Sequence, residues 1–365
     1  MDVPGLFDYL KWRGDLSMEQ VSFGPVDTLL LSTLCYVGFD DLVPSGPKQA
    51  VTLEEAGRGF LALPREEQLL RVRSRSDIDL VKGMVKAPRF SQLRLSAYQN
   101  RLEEDVQLQF CAVAIHLGAR ETFLAYRGTD RTLVGWKEDF NMSFQSAVPA
   151  QWVARDYLEC CAGWFQGDLI LGGHSKGGNL AVFAASMCRP EICQRVKAIY
   201  CHDSPGFTDL VMNSPGYARV LPRIHSFIPE SSVVGMMLEH QEPYVVVKSR
   251  SIGVLQHDPY SWEILGNDFI RLKDVTQGSR VLDQTLKAWL AGMSAEERGQ
   301  VIDTIYEMLQ SAEADRVQEL LHPKSLYAIL RAIKKEDDHS RRRVADALGQ
   351  LAKTAIHTVR EHRKD

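Results

Sequence analysis

The sequence lacks several features that would place it in a specialised class. Its 365 residues include only seven cysteines (Cys35, Cys111, Cys160, Cys161, Cys188, Cys193 and Cys201) and no C-x-x-C pair. An odd count on a chain this long is not a disulfide framework, and the missing pair removes support for a zinc ribbon or a thioredoxin-type site. Several of these cysteines lie in apolar runs, where a thiol behaves as a small hydrophobe; this predicts structural free thiols in a reducing compartment. Basic charge is not in excess: 43 Lys and Arg face 47 Asp and Glu, for a formal net charge of -4. That balance argues against nucleic acid as a partner. Long apolar runs are also missing. The start, MDVPGLFDYLKWRGD, carries acidic residues at once and is not a secretory signal. The stretch from Val26 to Phe39 holds Asp27 and several hydroxyls, and is too short and polar to span a bilayer. A chain without an integral membrane segment and with a cytoplasmic location is therefore expected. There is no internal repeat and no low-complexity tract.

What is present is an ordinary globular composition, 45% hydrophobic and 25% charged, with ample material for a core. Residues up to about 105 read as mostly helical. VDTLLLSTLCYVGF looks like a buried helix, and Thr52 followed by Glu55 forms a capping box that opens another. From about 106 the pattern changes. VQLQFCAVAIHL and ETFLAYRG read as a hairpin. A helix over Ala150 to Phe165, the short strand DLILGGHS, the helix GGNLAVFAASMC and the strands VKAIYCHDS, RIHSFIP and PYVVVKSRS follow. Strands alternating with helices predict an α/β fold with a mostly parallel, doubly covered central sheet. Beyond about 278 the spacing turns helical again. The expected division is therefore residues 1–277, including the helical N-terminal segment, and a C-terminal helical extension over 278–365. The basic residues of its last turns suit a solvated face, and its protein partner is left open.

The chemistry concentrates in Gly173-His174-Ser175-Lys176-Gly177, a G-x-S-x-G. Chance gives such a pentad in about one chain of this length in ten. Its setting is more specific, because a strand precedes it and a helix follows. A chain reversing sharply between the two leaves the serine strained and projecting, with glycines where side chains would collide. Free N–H groups at the helix N-terminus then face the serine oxygen. Acyl transfer needs two N–H donors for the developing oxyanion. One comes from Lys176, the residue after the nucleophile, and the second from a loop after an earlier strand.

At these residues the chain resembles a known family. "YRGTD…GWKEDF" and "GGHSKGGNLA" are similar to the "FRGS/T…W…DL" and "GHSLGGALA" segments of the class 3 (fungal-type) lipases, which have the α/β-hydrolase fold. The N-terminal "DYLKWRGDLS…VDTLLLSTLCYVGF" resembles a bacterial branch of lipase-like proteins. The resemblance spans about residues 8–265. It implies that Thr129 supplies the second oxyanion N–H and that Trp136 and Asp139 shape the segment after it. One departure stands out: Lys176 replaces the usual leucine. Its side chain is expected at the surface, with an anionic-substrate contact as the alternative.

The order serine, acid, histidine places the base late in the chain. His257 follows the strand PYVVVKSRS, where a base reaches the serine by strand order. His225 lies within a strand, and His240 is the weaker rival. Two carboxylates stand at strand C-terminal ends, where catalytic groups gather in open α/β sheets. Asp203 is preferred as the acid, with Glu230 as the alternative. The expected activity is that of a serine hydrolase of carboxylic esters, on a small-molecule or lipid ester, with no metal or organic cofactor required. A catalytically silent scaffold that binds a ligand or partner is the alternative. The apolar stretch Val233–Leu238 reads either as acyl-pocket lining or as core.

Overall fold

The computed structural model describes residues 3–300 except 131, 143–146, 293 and 295. Most of the helices expected beyond residue 278 thus lie outside the described residues. The first of them is described and runs over Gln277–Ala291.

Six helices precede the main strands: α1 (Leu6–Arg13), α2 (Pro25–Leu34), α3 (Leu53–Ala62), α4 (Arg65–Leu70), α5 (Arg75–Met84) and α6 (Pro88–Ser91). Proline at the first position of α2 suits a helix start, because its missing N–H has no partner there. Asp27 caps the same turn by accepting the Gly24 N–H at 2.9 Å. In α3 the capping box is present: the Glu55 N–H donates to Thr52 Oγ1, and the Thr52 N–H donates to the Glu55 carboxylate.

The strands are β1 (Val51–Thr52), β2 (Arg94–Glu103), β3 (Leu108–Gly118), β4 (Glu121–Tyr126), β5 (Asp168–His174), β6 (Val196–His202), β7 (Ile224–Pro229) and β8 (Tyr244–Val247). They form one sheet in sequence order, closed at the far edge by Arg271–Leu272. Pairing from β1 to β4 is antiparallel, and the run β4 to β8 is parallel. Parallel neighbours need crossovers. Between β4 and β5 these are α7 (Leu133–Asn141) and α8 (Pro149–Trp164); between β5 and β6 the first is α9 (Lys176–Met187).

Both faces of the sheet are covered, as its apolar strands require. Alternation along β3 shows the division. Cys111, Val113 and Ile115 join the core made with the N-terminal helices, whereas Phe110, Ala112 and Ala114 join the core under α8 and α9. The N-terminal helices are thus one layer of an α/β sandwich. One stretch departs from the sequence reading, which takes the chain as mostly helical to about 105, yet β2 occupies Arg94–Glu103. A bulge between Ser96 and Gln99, with Ala97 at φ 52°, breaks the two-residue alternation that marks a strand. All seven cysteines are free, and only Cys160 is exposed. No helix among the described residues is long and apolar enough to cross a membrane.

The helical layer is pinned by a buried ion pair. Arg89 Nη2 and Nε bond the two Asp27 oxygens at 2.7 and 2.8 Å, with both side chains essentially unexposed. The same guanidinium donates to the carbonyls of Leu16, Ser17, Val21 and Ser22, and the Tyr9 hydroxyl donates to Asp27. Removing one partner of such a pair leaves an uncompensated buried charge. Arg89→Met is expected to lose about 3–5 kcal/mol of unfolding free energy, measured as a lowered urea midpoint.

Candidate active site

Sheet register brings the site together. His174 at the end of β5 pairs with His202 at the end of β6, and His202 pairs with Phe227 in β7. Residues 175 and 203 therefore leave neighbouring strands at the same C-terminal level, the usual place for a site in an open α/β sheet. The Ser175 N–H donates to the His202 carbonyl at 2.9 Å, and the Asp203 N–H donates to the Phe227 carbonyl at 2.7 Å. Both turns are thereby fixed to the next strand over.

Ser175 has φ 59° and ψ -134° and directly precedes α9. Such a backbone is strained for a residue with a Cβ. Two glycines make the turn possible. A Cβ at Gly173 would lie 2.1 Å from the Gly177 carbonyl carbon, and one at Gly177 would lie 2.1 Å from the Tyr126 carbonyl oxygen. Strand, elbow and helix are packed backbone to backbone. Ser175 is mostly buried, and its hydroxyl has no hydrogen-bond partner among the described residues.

His257 ends the short turn Gly253–His257, and its ring centroid lies 4.5 Å from that of His174, the neighbour of Ser175. Its Nδ1 bonds Asp203 Oδ2 at 2.6 Å. A carboxylate accepts, so the proton sits on Nδ1 and Nε2 is left as an acceptor. Asp203 is fully buried at φ 49°. Its other oxygen accepts from Ser232 Oγ at 2.5 Å and from the Gly235 N–H at 3.0 Å. Within the Val233–Leu238 stretch, the Gly235 N–H thus holds Asp203 through the backbone. The Glu230 carboxylate has no hydrogen bond or ion pair among the described residues; its main chain pairs with Val247 and Thr276. His225 stacks on Tyr200 within the sheet, and His240 bonds Glu242.

A second histidine holds the first in place. His174 Nε2 faces the His257 carbonyl at 2.8 Å, and its Nδ1 faces the Tyr36 hydroxyl at 2.9 Å. A carbonyl only accepts, so Nε2 carries the hydrogen and Tyr36 donates to Nδ1. Burial, reinforced by His257 and Arg73, pushes the His174 imidazole well below the ordinary histidine range and keeps it neutral. Arg73 lies over the Tyr36 ring at 4.5 Å and reaches Asp258, the next residue after His257, at 3.3 Å. Tyr260 donates to the buried Asp77 of α5 at 2.8 Å. The loop bearing His257 is thus tied to the N-terminal helical layer at several points.

Thr129 and Lys176 lie on opposite sides of Ser175 in sequence, one after β4 and the other at the start of α9. Among the described residues neither N–H is spent on a hydrogen bond. The Thr129 hydroxyl donates to Asp139 Oδ2 in a short contact. The Lys176 side chain corrects the sequence reading, which places it at the surface. It is buried, and its ammonium donates to the Gln109 carbonyl at 3.0 Å, to Gln109 Oε1 at 2.6 Å and to Glu138 Oε2 at 2.8 Å. All three donors are used, which leaves none for an anionic substrate. A lysine directly after Ser175, at the start of a helix packed on the sheet, is itself the clue to a buried partner, since an ammonium inside a helix–sheet contact must be paired. Nothing local in the sequence singles out Glu138, Tyr36, Gln109 or Ser232, whose partners Lys176, His174 and Asp203 lie 29 or more residues away.

The sequence model of the Mbeg1-like family matches residues 84–307. Comparison with curated proteins gives no match. Among solved structures the chain is similar to the M37 lipase, at 12% identity over 60% of this chain and 71% of that one, with a TM-score of 0.37. It is also similar to a lipase from Rhizopus microsporus var. chinensis, at 14% identity over 66% and 82%, with a TM-score of 0.32.

Burial raises the Asp139 carboxyl to about 6 against the opposing pull of Lys176 and the Thr129 hydroxyl. A carboxyl raised in the folded chain binds its proton more tightly there than in the unfolded chain. Folding is then favoured at low pH, and that advantage fades as pH climbs from about 4 to about 6. Stability of the native protein relative to Asp139→Asn is expected to fall by on the order of 1–3 kcal/mol across that window. Urea unfolding of both proteins at pH 4, 5, 6 and 7 measures the difference.

Proposed function

The chain belongs to the Mbeg1-like family, and we propose that it is a serine hydrolase that cleaves carboxylic esters through an acyl-enzyme. One observation carries this reading: the 2.6 Å contact of Asp203 with His257 Nδ1, made beside a serine held at φ 59° between a strand and a helix. The contact selects the tautomer whose Nε2 accepts a proton, which is the form a general base needs.

The steps follow from these groups. His257 Nε2 takes the Ser175 hydroxyl proton as Oγ attacks the acyl carbonyl. The Thr129 and Lys176 N–H groups receive the negative oxygen of the tetrahedral intermediate, a role their lack of other partners leaves open. The imidazolium, stabilised by the buried Asp203 carboxylate, passes its proton to the leaving alkoxide. Water then attacks the acyl-enzyme with His257 again as base, which frees the acid and the serine. The Asp203 carboxylate is held in place by Ser232 and the Gly235 N–H. Glu230 takes no part in this scheme.

The substrate is read as a small-molecule or lipid ester, with residues 1–277 as the hydrolase domain and 278–365 as a helical extension. Seven free thiols, six of them buried, support a reducing, cytoplasmic setting. A fluorophosphonate probe tests the chemistry. It is expected to label the wild-type protein and leave Ser175→Ala unlabelled. Asp203→Asn is expected to lower kcat on a p-nitrophenyl ester by roughly 10⁴-fold, the scale of that change in other triads, whereas Glu230→Gln stays within about threefold of wild type on the same scale. A wild-type protein that takes up no probe favours a silent binding scaffold.

A further inference from the structure

Lys176 occupies two places in the site at once. Its backbone N–H is one proposed oxyanion donor. Its side chain runs to Glu138 on α7, the helix that follows the loop carrying the other donor, Thr129. We propose that the Lys176–Glu138 ion pair is the positioning element of the oxyanion hole, fixing the separation between the Thr129 and Lys176 N–H groups. The inference rests on the hydrolase reading and deepens it.

The pair is expensive to keep. Its side chains are 1% and 0% exposed, at an Nζ–Oε2 distance of 2.8 Å. Two apolar side chains of similar volume are often as stabilising as a buried ion pair, so stability alone gives little reason for it. What charge supplies here is direction. The ammonium's three bonds converge on Gln109 of β3 and on Glu138. The Glu138 carboxylate also accepts the Gln109 N–H at 3.2 Å and, through Oε1, the Ala150 N–H in the first turn of α8 at 2.9 Å. Four chain segments meet at one carboxylate, and each bond has a narrow range of length and angle.

The link to the donor is short. Glu138 is followed by Asp139, whose Oδ2 accepts the Thr129 hydroxyl. The path runs from Lys176 Nζ through Glu138 and one peptide unit to Asp139, and from there to Thr129. A shift of α7 relative to α9 is therefore a shift of one donor relative to the other. Oxyanion donors act over a narrow range, about 2.7–3.1 Å from the oxygen, and losing one costs about 10²–10³ in kcat. These donors act on charge that develops only in the transition state, so the effect belongs to kcat rather than KM.

The test uses Lys176→Met/Glu138→Gln, which removes both charges together, and Glu138→Asp, which keeps both charges but draws the carboxylate back by one methylene. Each is compared with wild type by thermal midpoint, by the second-order rate of fluorophosphonate labelling at Ser175, and by kcat and KM on a p-nitrophenyl ester. In whichever variants fold, labelling rate and kcat are expected to fall by about 10–100-fold, a fraction of a full donor's effect, with KM within about threefold. Folded Glu138→Asp or double variant with wild-type kcat and labelling rate overturns the proposal. So does a change confined to KM. A wild-type protein that does not label at all overturns the hydrolase reading and this inference with it, and is told apart by needing no variant.

Discussion

Residue 175 is held at φ 59° and ψ -134°, a conformation that costs on the order of 1–3 kcal/mol and persists only where its surroundings leave no alternative. Those surroundings are backbone. Gly173 and Gly177 bring β5, α9 and the end of β4 so close that no side chain fits between them, and the serine N–H is anchored to β6. The rest of the site is built outward from this bend. Register places Asp203 one strand over, Ser232 and Gly235 fix the carboxylate, and the carboxylate fixes the imidazole.

The two layers of the sandwich serve different parts of the constellation. The helical layer on one face holds the loop of His257, through the Tyr36–His174 relay to its carbonyl and through Arg73 and Asp77 to its neighbours. The layer on the other face, α7 to α9, carries Lys176 and, through Asp139, bonds the Thr129 hydroxyl. Buried charge is used in both. Arg89–Asp27 fastens the first layer and Lys176–Glu138 the second. In each case the price of desolvation is met by saturating the donors with carbonyls and carboxylates.

Much of this architecture is legible in the amino-acid order, because local rules write it there. The strand-like runs of β3 and β4, the capping box at Thr52 and the glycines around Ser175 each follow from chemistry within a few residues. What escaped was non-local. Asp203 and Glu230 both stand at strand ends, and only the long-range contacts of Asp203 with His257, Ser232 and Gly235 distinguish the pair. Lysine is rarely fully buried, so Lys176 reads as a surface group until Glu138, 38 residues away, is seen to meet it. Tyr36 lies 138 residues from His174 and looks like one more aromatic in an apolar helix. The strand Arg94–Glu103 was hidden by its own bulge.

The relay from Tyr36 through His174 gives the helical layer a meaning beyond covering the sheet. Sequence comparison tends to locate an enzyme in the strands and the loops that bear its reactive groups, and to treat what precedes them as an accessory. Here a shortened chain that kept every strand from β3 onward but dropped the first ninety or so residues would retain Ser175, Asp203 and His257, yet lose the phenol, the guanidinium and the carboxylate that tell the His257 imidazole where to stand. The smallest unit able to hold the imidazole in register is therefore larger than the smallest unit that contains it.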